Sequence, residues 1–131
     1  MSAYSHINLV DDVENSVGDR VEGLDGRFGR SHLDSRDLGV SLWRYAPGLR
    51  APFSHRHGEQ EEAYVVVSGS GRVRLDDEVR DLRQWDVLRV APSTLRGFEA
   101  GDDGLEIIAV GGPRPADGDG EPAEEPWPDG E

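Results

Sequence analysis

The fold of this chain is decided by residues 47–69, which read PGLRAPFSHRHGEQEEAYVVVSG. The β-branched and aromatic run at 63–67 is typical of a strand that is buried on both faces. Just before it, His55 and His57 are separated by one residue, so on an extended segment both imidazoles project from the same face. Glu62 follows across a short loop. The pattern predicts that these three side chains converge.

The sequence around this stretch predicts further short strands, from residue 26 to residue 112. Residues 38–45 alternate between apolar and polar positions, and the acidic group at 76–78 is typical of a tight hairpin turn. The Ser-Gly repeat at 68–71 is interpreted as another turn. Since no segment of any length has a 3.6-residue periodicity, we expect an all-β sandwich or barrel.

The two ends of the chain differ from this middle part. Residues 1–25 are expected to form a polar lead-in to the barrel. Residues 113–131 contain five of the eight prolines and many acids. Such a segment has little apolar surface with which to offset its ordering entropy, so it is predicted to be a mostly disordered tail. Trp127 is the exception, since its large ring is able to dock on the barrel.

Composition excludes several classes of function. The net charge is -13, all 14 basic residues are arginine, and there is no cysteine. The charge disfavours nucleic acid and anionic membrane surfaces as partners, and the missing cysteines exclude disulfides and thiolate metal sites. No apolar run approaches the roughly 18 residues of a membrane span, and the N-terminus does not resemble a signal peptide. A cytoplasmic location is therefore expected.

The predicted cluster of His55, His57 and Glu62 has the chemistry of a metal site. Two imidazoles and one carboxylate on one face form a facial triad, which suits Fe(II), Mn, Ni or Zn and leaves positions open for a substrate. The alternative is a hydrogen-bonded polar pocket in a metal-free barrel. The sequence leaves both readings open.

Residues 47–69 resemble the first motif of the cupin family, which has a glycine, a His-x-His pair, a glutamate and a glycine seven residues beyond it. Glu62 and Gly69 satisfy that interval, whereas Glu61 does not, so Glu61 is expected to point outward into solvent. The resemblance implies a double-stranded β-helix, or jelly-roll, barrel. It also implies a homodimer that pairs through an outer sheet face.

Residues 85–98, WDVLRVAPSTLRGF, are similar to the second motif of the same family with three departures. Trp85 and Ser93 replace glycines, and Arg96 occupies the position of the metal-binding histidine. A guanidinium has no lone pair for a metal, and its charge would repel one. Arg96 is therefore expected to oppose the metal, to bridge to Glu62, or to bind the carboxylate or phosphate of a ligand.

Three aromatic side chains complete the predicted pocket. Tyr64 shares the parity of Glu62, and Phe53 and Phe98 are expected to line or plug the barrel. The resulting hypothesis is a cupin that binds a small molecule, with a divalent metal in an oxygenase or isomerase acting on a small organic acid or sugar derivative. The alternative is a metal-free binding or sensing protein in which Arg96 anchors an anionic ligand or bridges to Glu62.

Overall fold

Eight strands form one curled antiparallel sheet in the computed structural model, which describes residues 3–129. They are β1 (Leu24–Phe28), β2 (Gly39–Tyr45), β3 (Ser54–His57), β4 (Glu62–Leu75), β5 (Glu78–Arg83), β6 (Val87–Val90), β7 (Arg96–Gly111) and β8 (Gly120–Ala123). The helix in these residues, α1 (Arg30–Leu33), is one turn long. No helix among the described residues is long and apolar enough to cross a bilayer. The predicted all-β jelly-roll barrel is confirmed.

Strand β7 organises the sheet because it pairs with three other strands, β2, β3 and β4. β4 follows it along almost its full length, from Glu62 opposite Gly111 to Leu75 opposite Arg96. At the same end, β3 lies beside β7 with His55 opposite Arg96. The register therefore places the two predicted motifs next to each other.

The core lies between the walls of this barrel. Alternate residues of β4 and β7 face inward, as the two-residue period of a strand requires. The buried apolar members of these strands are Tyr64, Val66, Val73, Phe98, Ala100, Leu105, Ile107 and Ala109. Val13 and Val17 of the lead-in are also buried, and β1 starts at Leu24. The lead-in is thus packed as part of the structure that it precedes.

The predicted turns have different outcomes. The hairpin at 76–78 is confirmed, with Leu75 opposite Glu78 and Asp76 in the left-handed region at φ 53°. The turn at 68–71 is wrong, because β4 continues through it with irregular register against β7. A Cβ at Gly69 would lie 2.1 Å from the carbonyl oxygen of Gly104. Glycine is needed there for the close approach of two strands, not for a reversal.

Part of the C-terminal segment, which the sequence predicts to be a mostly disordered tail, packs against the barrel in the structure. β8 pairs with all four residues of β3, and Trp127 is 5% exposed. The Arg50 guanidinium lies 4.0 Å from the centroid of the Trp127 ring and 2.9 Å from the Asp129 carboxylate. The composition argument counted only the tail's own apolar surface, whereas backbone pairing and cation contacts with the barrel also stabilise it. Residues 130–131 lie outside the described part.

Candidate metal centre

The end of β3 and the start of β4 bring together the three side chains singled out in the sequence. His55 and His57 project from the same face of β3, and Glu62 begins β4 after a four-residue connection. One nitrogen from each imidazole and one carboxylate oxygen all lie within 4.8 Å of one another. The three groups are therefore close enough together to hold one ion between them. Glu61 points away, with its carboxylate 2.9 Å from Arg89, so its outward orientation is as expected.

The orientation of His57 is fixed by a residue of the tail. Its Nδ1 lies 2.9 Å from Oδ1 of Asp119, which precedes β8. An ionised carboxylate only accepts hydrogen bonds, so Nδ1 carries the proton in this pair and Nε2 of the neutral ring has a lone pair. Nε2 is buried and, within residues 3–129, has no hydrogen-bond partner, although Oε1 of Glu62 lies 3.1 Å away.

Asp119 is itself held by the loop that connects the two ligand strands. Its Oδ2 accepts hydrogen bonds from the backbone N–H groups of Glu59, at 2.6 Å, and Gln60, at 2.9 Å. Burial raises the pKa of Asp119, but these bonds and the contact with His57 outweigh it, so the pKa lies below its ordinary value. Asp119 therefore remains charged at neutral pH and ties β3, the loop and the tail together.

Glu62 is ionised at the centre of the cluster. Burial would raise its pKa, but contacts with His55, His57 and the Tyr64 hydroxyl outweigh this and lower the pKa well below its ordinary value. Tyr64 donates a short hydrogen bond to Oε1 of Glu62 and is 5% exposed, so it faces the site as its parity predicts. Burial and the adjacent carboxylate raise the pKa of Tyr64, which keeps its hydroxyl protonated.

Arg96 lies beside the cluster and is fully buried. Its guanidinium donates to the carbonyl oxygens of Thr94, at 2.9 Å, Pro92, at 3.2 Å, and Ala91, at 3.3 Å. Its nearest contact with Glu62 is 3.9 Å, which is too long for the hydrogen-bonded bridge considered above. The geometry favours a structural role in holding the 91–94 turn, with the positive charge retained next to the site.

The charges on either side of His57 act against each other. Burial lowers the pKa of His57, the close contacts with the Glu62 and Asp119 carboxylates raise it, and the charge of Arg96 lowers it. The net result is a pKa above the ordinary value. His57 thus lies between an anion that strengthens its basicity and a cation that weakens it.

A cavity of about 1010 Å³ opens above the cluster and is large enough for a small organic molecule. Its lining includes Phe53, Tyr64, Arg96 and Phe98, the four residues predicted to meet a ligand. Phe98 is buried, with its ring centroid 4.9 Å from that of Tyr64. Phe53 is 46% exposed, so it lies at the mouth of the cavity and does not plug the barrel.

Asp119 is the residue of the site that sequence reasoning missed. It stands between two glycines in a segment without alternating apolar residues, and nothing in that pattern indicates a contact with His57. Its position depends on the pairing of β8 with β3, which joins residues more than 60 positions apart in the chain. The contact between Asp119 and His57 can be recognised only when the pairing of β8 with β3 is known.

Comparisons with known proteins agree with this architecture. A family model described as "Cupin domain" matches residues 41–111. Among curated proteins, no sequence matches this chain. The fold is similar to that of a cupin protein from Bacteroides fragilis, with a TM-score of 0.71 and 24% identity over 88% of this chain and 89% of that one.

Two further solved structures share the fold at lower identity. A variant of oxalate decarboxylase from Bacillus subtilis has a TM-score of 0.76 and 20% identity over 94% of this chain, which spans 33% of that protein. A sugar phosphate isomerase from Silicibacter pomeroyi has a TM-score of 0.67 and 17% identity over 88% of this chain and 90% of that one. At these identities the likeness describes the fold alone.

Proposed function

Because the chain belongs to the cupin family, we propose that it binds a divalent metal ion through His55, His57 and Glu62 and a small molecule in the cavity above them. The observation that carries this proposal is Nε2 of His57. It is buried, has no hydrogen bond among the described residues, and lies 3.1 Å from an ionised carboxylate. A buried lone pair without a donor suits a metal ion.

The surrounding residues fit that role because they orient the ligands. Metal-ligating histidines usually donate their other ring N–H to a carboxylate, as His57 does to Asp119. Tyr64 holds Glu62 in the same way from the barrel interior. The donor set suits Fe(II), Mn, Ni or Zn.

We place the reaction in the class of metal-assisted oxidation or isomerisation of a small organic acid or sugar derivative. A bound divalent ion would supply Lewis-acid or redox chemistry that this chain's own side chains lack. Two proteins of the same fold are an oxalate decarboxylase and a sugar phosphate isomerase, which supports substrates of this size in such a barrel. Fold alone does not select between the two reactions.

Metal analysis of the protein purified without an affinity tag tests the proposal. After reconstitution with Fe(II), Mn, Ni and Zn in turn, we expect about one ion of at least one metal per chain, and its loss in His57→Ala. His6→Ala is the matched control, since His6 is exposed and outside the cluster. A metal content well below one per chain for every ion would overturn the proposal, as would equal retention by His57→Ala.

A metal-free binding pocket is the second candidate, and the contacts of Glu62 support it. The carboxylate already has a hydrogen bond from Tyr64, an imidazole nitrogen at 3.1 Å and the Arg96 guanidinium at 3.9 Å. In that arrangement the charge of Glu62 is balanced without an ion. The same metal analysis separates the candidates, because only the metal-free pocket is consistent with small-molecule binding at negligible metal content.

We propose a homodimer and a cytoplasmic location, on the family resemblance and on the composition of the chain. Light scattering on the purified protein is expected to give a mass of about twice 14.4 kDa. A mass of one chain at micromolar concentration would contradict the dimer.

A further inference from the structure

The cavity has a different charge balance from the rest of the chain. Four of the fourteen arginines line it, but only three of the twenty-seven acids do. Two of those acids, Glu62 and Asp119, are already engaged with the histidines. In a protein of net charge -13, this cavity therefore presents more positive than negative side chains to a ligand.

Two of the lining arginines, Arg30 and Arg114, are near enough for their charges to interact, and neither forms an ion pair within residues 3–129. Burial and the charge of Arg114 lower the pKa of Arg30, and the more distant charge of Asp37 partly offsets them. Among the described residues, Arg30 donates only to the carbonyl oxygens of Arg36 and Gly112, each at 3.4 Å. Within residues 3–129, neither guanidinium has an acid oxygen within 4.0 Å. Both therefore have hydrogen-bond donors to spare.

Each guanidinium rests against a glycine. A Cβ at Gly39 would lie 2.8 Å from Nη2 of Arg30, and one at Gly118 would lie 2.5 Å from Nη1 of Arg114. The two glycines thus provide the space in which the cations sit at the cavity wall.

A chain of hydrogen bonds connects Arg30 to the candidate metal centre. The carbonyl oxygen of Gly112 accepts from Arg30 and also from Nε2 of Gln60, at 3.1 Å. The backbone N–H of Gln60 donates to Asp119, which holds His57. The arginines lie on one wall of the cavity. The tail and the loop at 58–61, which connects β3 to β4, form this wall together.

We propose that Arg30 and Arg114 bind the anionic group, a carboxylate or a phosphate, of the small molecule that occupies the cavity. Guanidinium groups match the planar fork of a carboxylate and the oxygens of a phosphate, and an anion between two of them removes their mutual repulsion. The inference rests on the proposed small-molecule function and identifies its substrate class. It moves the anion-binding role from Arg96, whose two terminal nitrogens donate to backbone carbonyls, to this pair.

Binding of two series of anions tests the proposal. Succinate and malonate represent carboxylates, glycerol 3-phosphate and inorganic phosphate represent phosphates, and glycerol is the neutral control. Calorimetric titration at fixed ionic strength is expected to give a dissociation constant in the millimolar range or below for at least one series. Arg30→Gln and Arg114→Gln are each expected to weaken it about tenfold, and the double variant more.

Arg36→Gln is the matched control, because Arg36 is exposed and does not line the cavity. Metal content of every arginine variant is measured in parallel and is expected to equal that of the unaltered protein. Unchanged anion affinity in the double variant would overturn the proposal, as would equal weakening in Arg36→Gln or no binding of either series. Loss of metal binding in His57→Ala with intact anion binding would leave this inference standing apart from the metal proposal.

Discussion

Strand β3, which holds both histidines, has two neighbours that contribute to the site in opposite ways. On one side, β7 contributes Arg96, a buried cation at the register position facing His55. On the other side, the tail that leads into β8 contributes Asp119, an anion that accepts a hydrogen bond from His57. One neighbour belongs to a recognisable motif and the other to an acidic, proline-rich segment. A segment whose composition predicts disorder can therefore supply a charged residue of the site.

The largest expected effect is on stability, when the side chain of Trp127 that anchors the tail to the barrel is removed. Trp127 is 5% exposed and stacks against Arg50, and the preceding backbone accepts hydrogen bonds from the buried Arg74. Trp127→Ala is expected to lower the free energy of unfolding by about 3–5 kcal/mol, as truncation of a buried tryptophan does. Urea denaturation followed by circular dichroism measures the change.

The chain contains a matched control for this substitution. Trp85 is 68% exposed, so Trp85→Ala is expected to change stability by no more than about 0.5 kcal/mol. Equal stability losses in the two variants would contradict the packed position of the tail, and a loss below about 1 kcal/mol in Trp127→Ala would do the same.

Replacing Arg96 by an apolar side chain of similar length tests what the cation from β7 contributes to the site. Arg96→Met removes the donors to three carbonyl oxygens, but those of Pro92 and Ala91 still accept from backbone N–H groups. Only the carbonyl of Thr94 loses its donor, and because one unsatisfied buried polar group costs about 1–3 kcal/mol, stability is expected to fall by about that amount. Affinity for a divalent ion is expected to rise roughly tenfold or more, because a cation next to the site is removed. Calorimetric unfolding and metal titration together measure these opposite changes.

Arg56→Met is the control for Arg96, since Arg56 lies on β3 between the two histidines and faces away from the cavity. It is expected to leave metal affinity unchanged. If Arg96→Met instead weakens metal binding, the cation acts as a positioning group for Glu62, and the repulsion argument is wrong.

The two neighbours of β3 also show how far the sequence predicts this protein. The His-x-His pair and the seven-residue interval from Glu62 to Gly69 are local features, and they located the ligand cluster and the barrel. Arg96 was located by the same kind of spacing. Its contacts were not, since three carbonyls of the 91–94 turn bind its guanidinium and no regular spacing predicts that.

What the sequence did not predict depends on contacts between distant segments. Asp119 reaches His57 only because β8 pairs with β3, and a segment's own hydropathy contains no information about its partner. The same reason explains the error at 68–71, where glycines usually found in turns permit a close approach between β4 and β7. Disorder predicted from composition is reliable only where no surface of the fold is available to bind the segment.

Asp119→Asn tests what the anion from the tail contributes to metal binding at the site. The substitution preserves size but removes the negative charge that accepts from Nδ1 of His57, and loss of such an outer partner typically costs 10–100-fold in metal affinity. We expect a weakening in that range, measured by competition with a metal-binding dye. Asp117→Asn, in an exposed position of the same segment, is expected to leave affinity unchanged. Equal affinities for Asp119→Asn and the unaltered protein would show that His57 needs no support from the tail.

Lowering the pH is expected to loosen the tail by the smallest amount. Burial raises the pKa of Glu99, but hydrogen bonds from Arg72 and Arg50 outweigh it and lower the pKa below its ordinary value. The same two arginines bind Asp129 of the tail. Because the folded-state pKa is depressed, the stabilisation from Glu99 is present above its ordinary pKa near 4.5 and is lost as the pH falls below it.

For this partly exposed cluster the loss is expected to be at most about 1 kcal/mol. Since many carboxylates titrate in the same range, the informative quantity is the difference between the unaltered protein and Glu99→Gln. The two should differ in stability at pH 6 and converge as the pH falls from 4.5 to 3, in urea denaturation followed by tryptophan fluorescence. A constant difference across that range would mean that the charge of Glu99 does not stabilise the docked tail, and that Trp127 and the β3–β8 pairing hold it without help from the ion pairs.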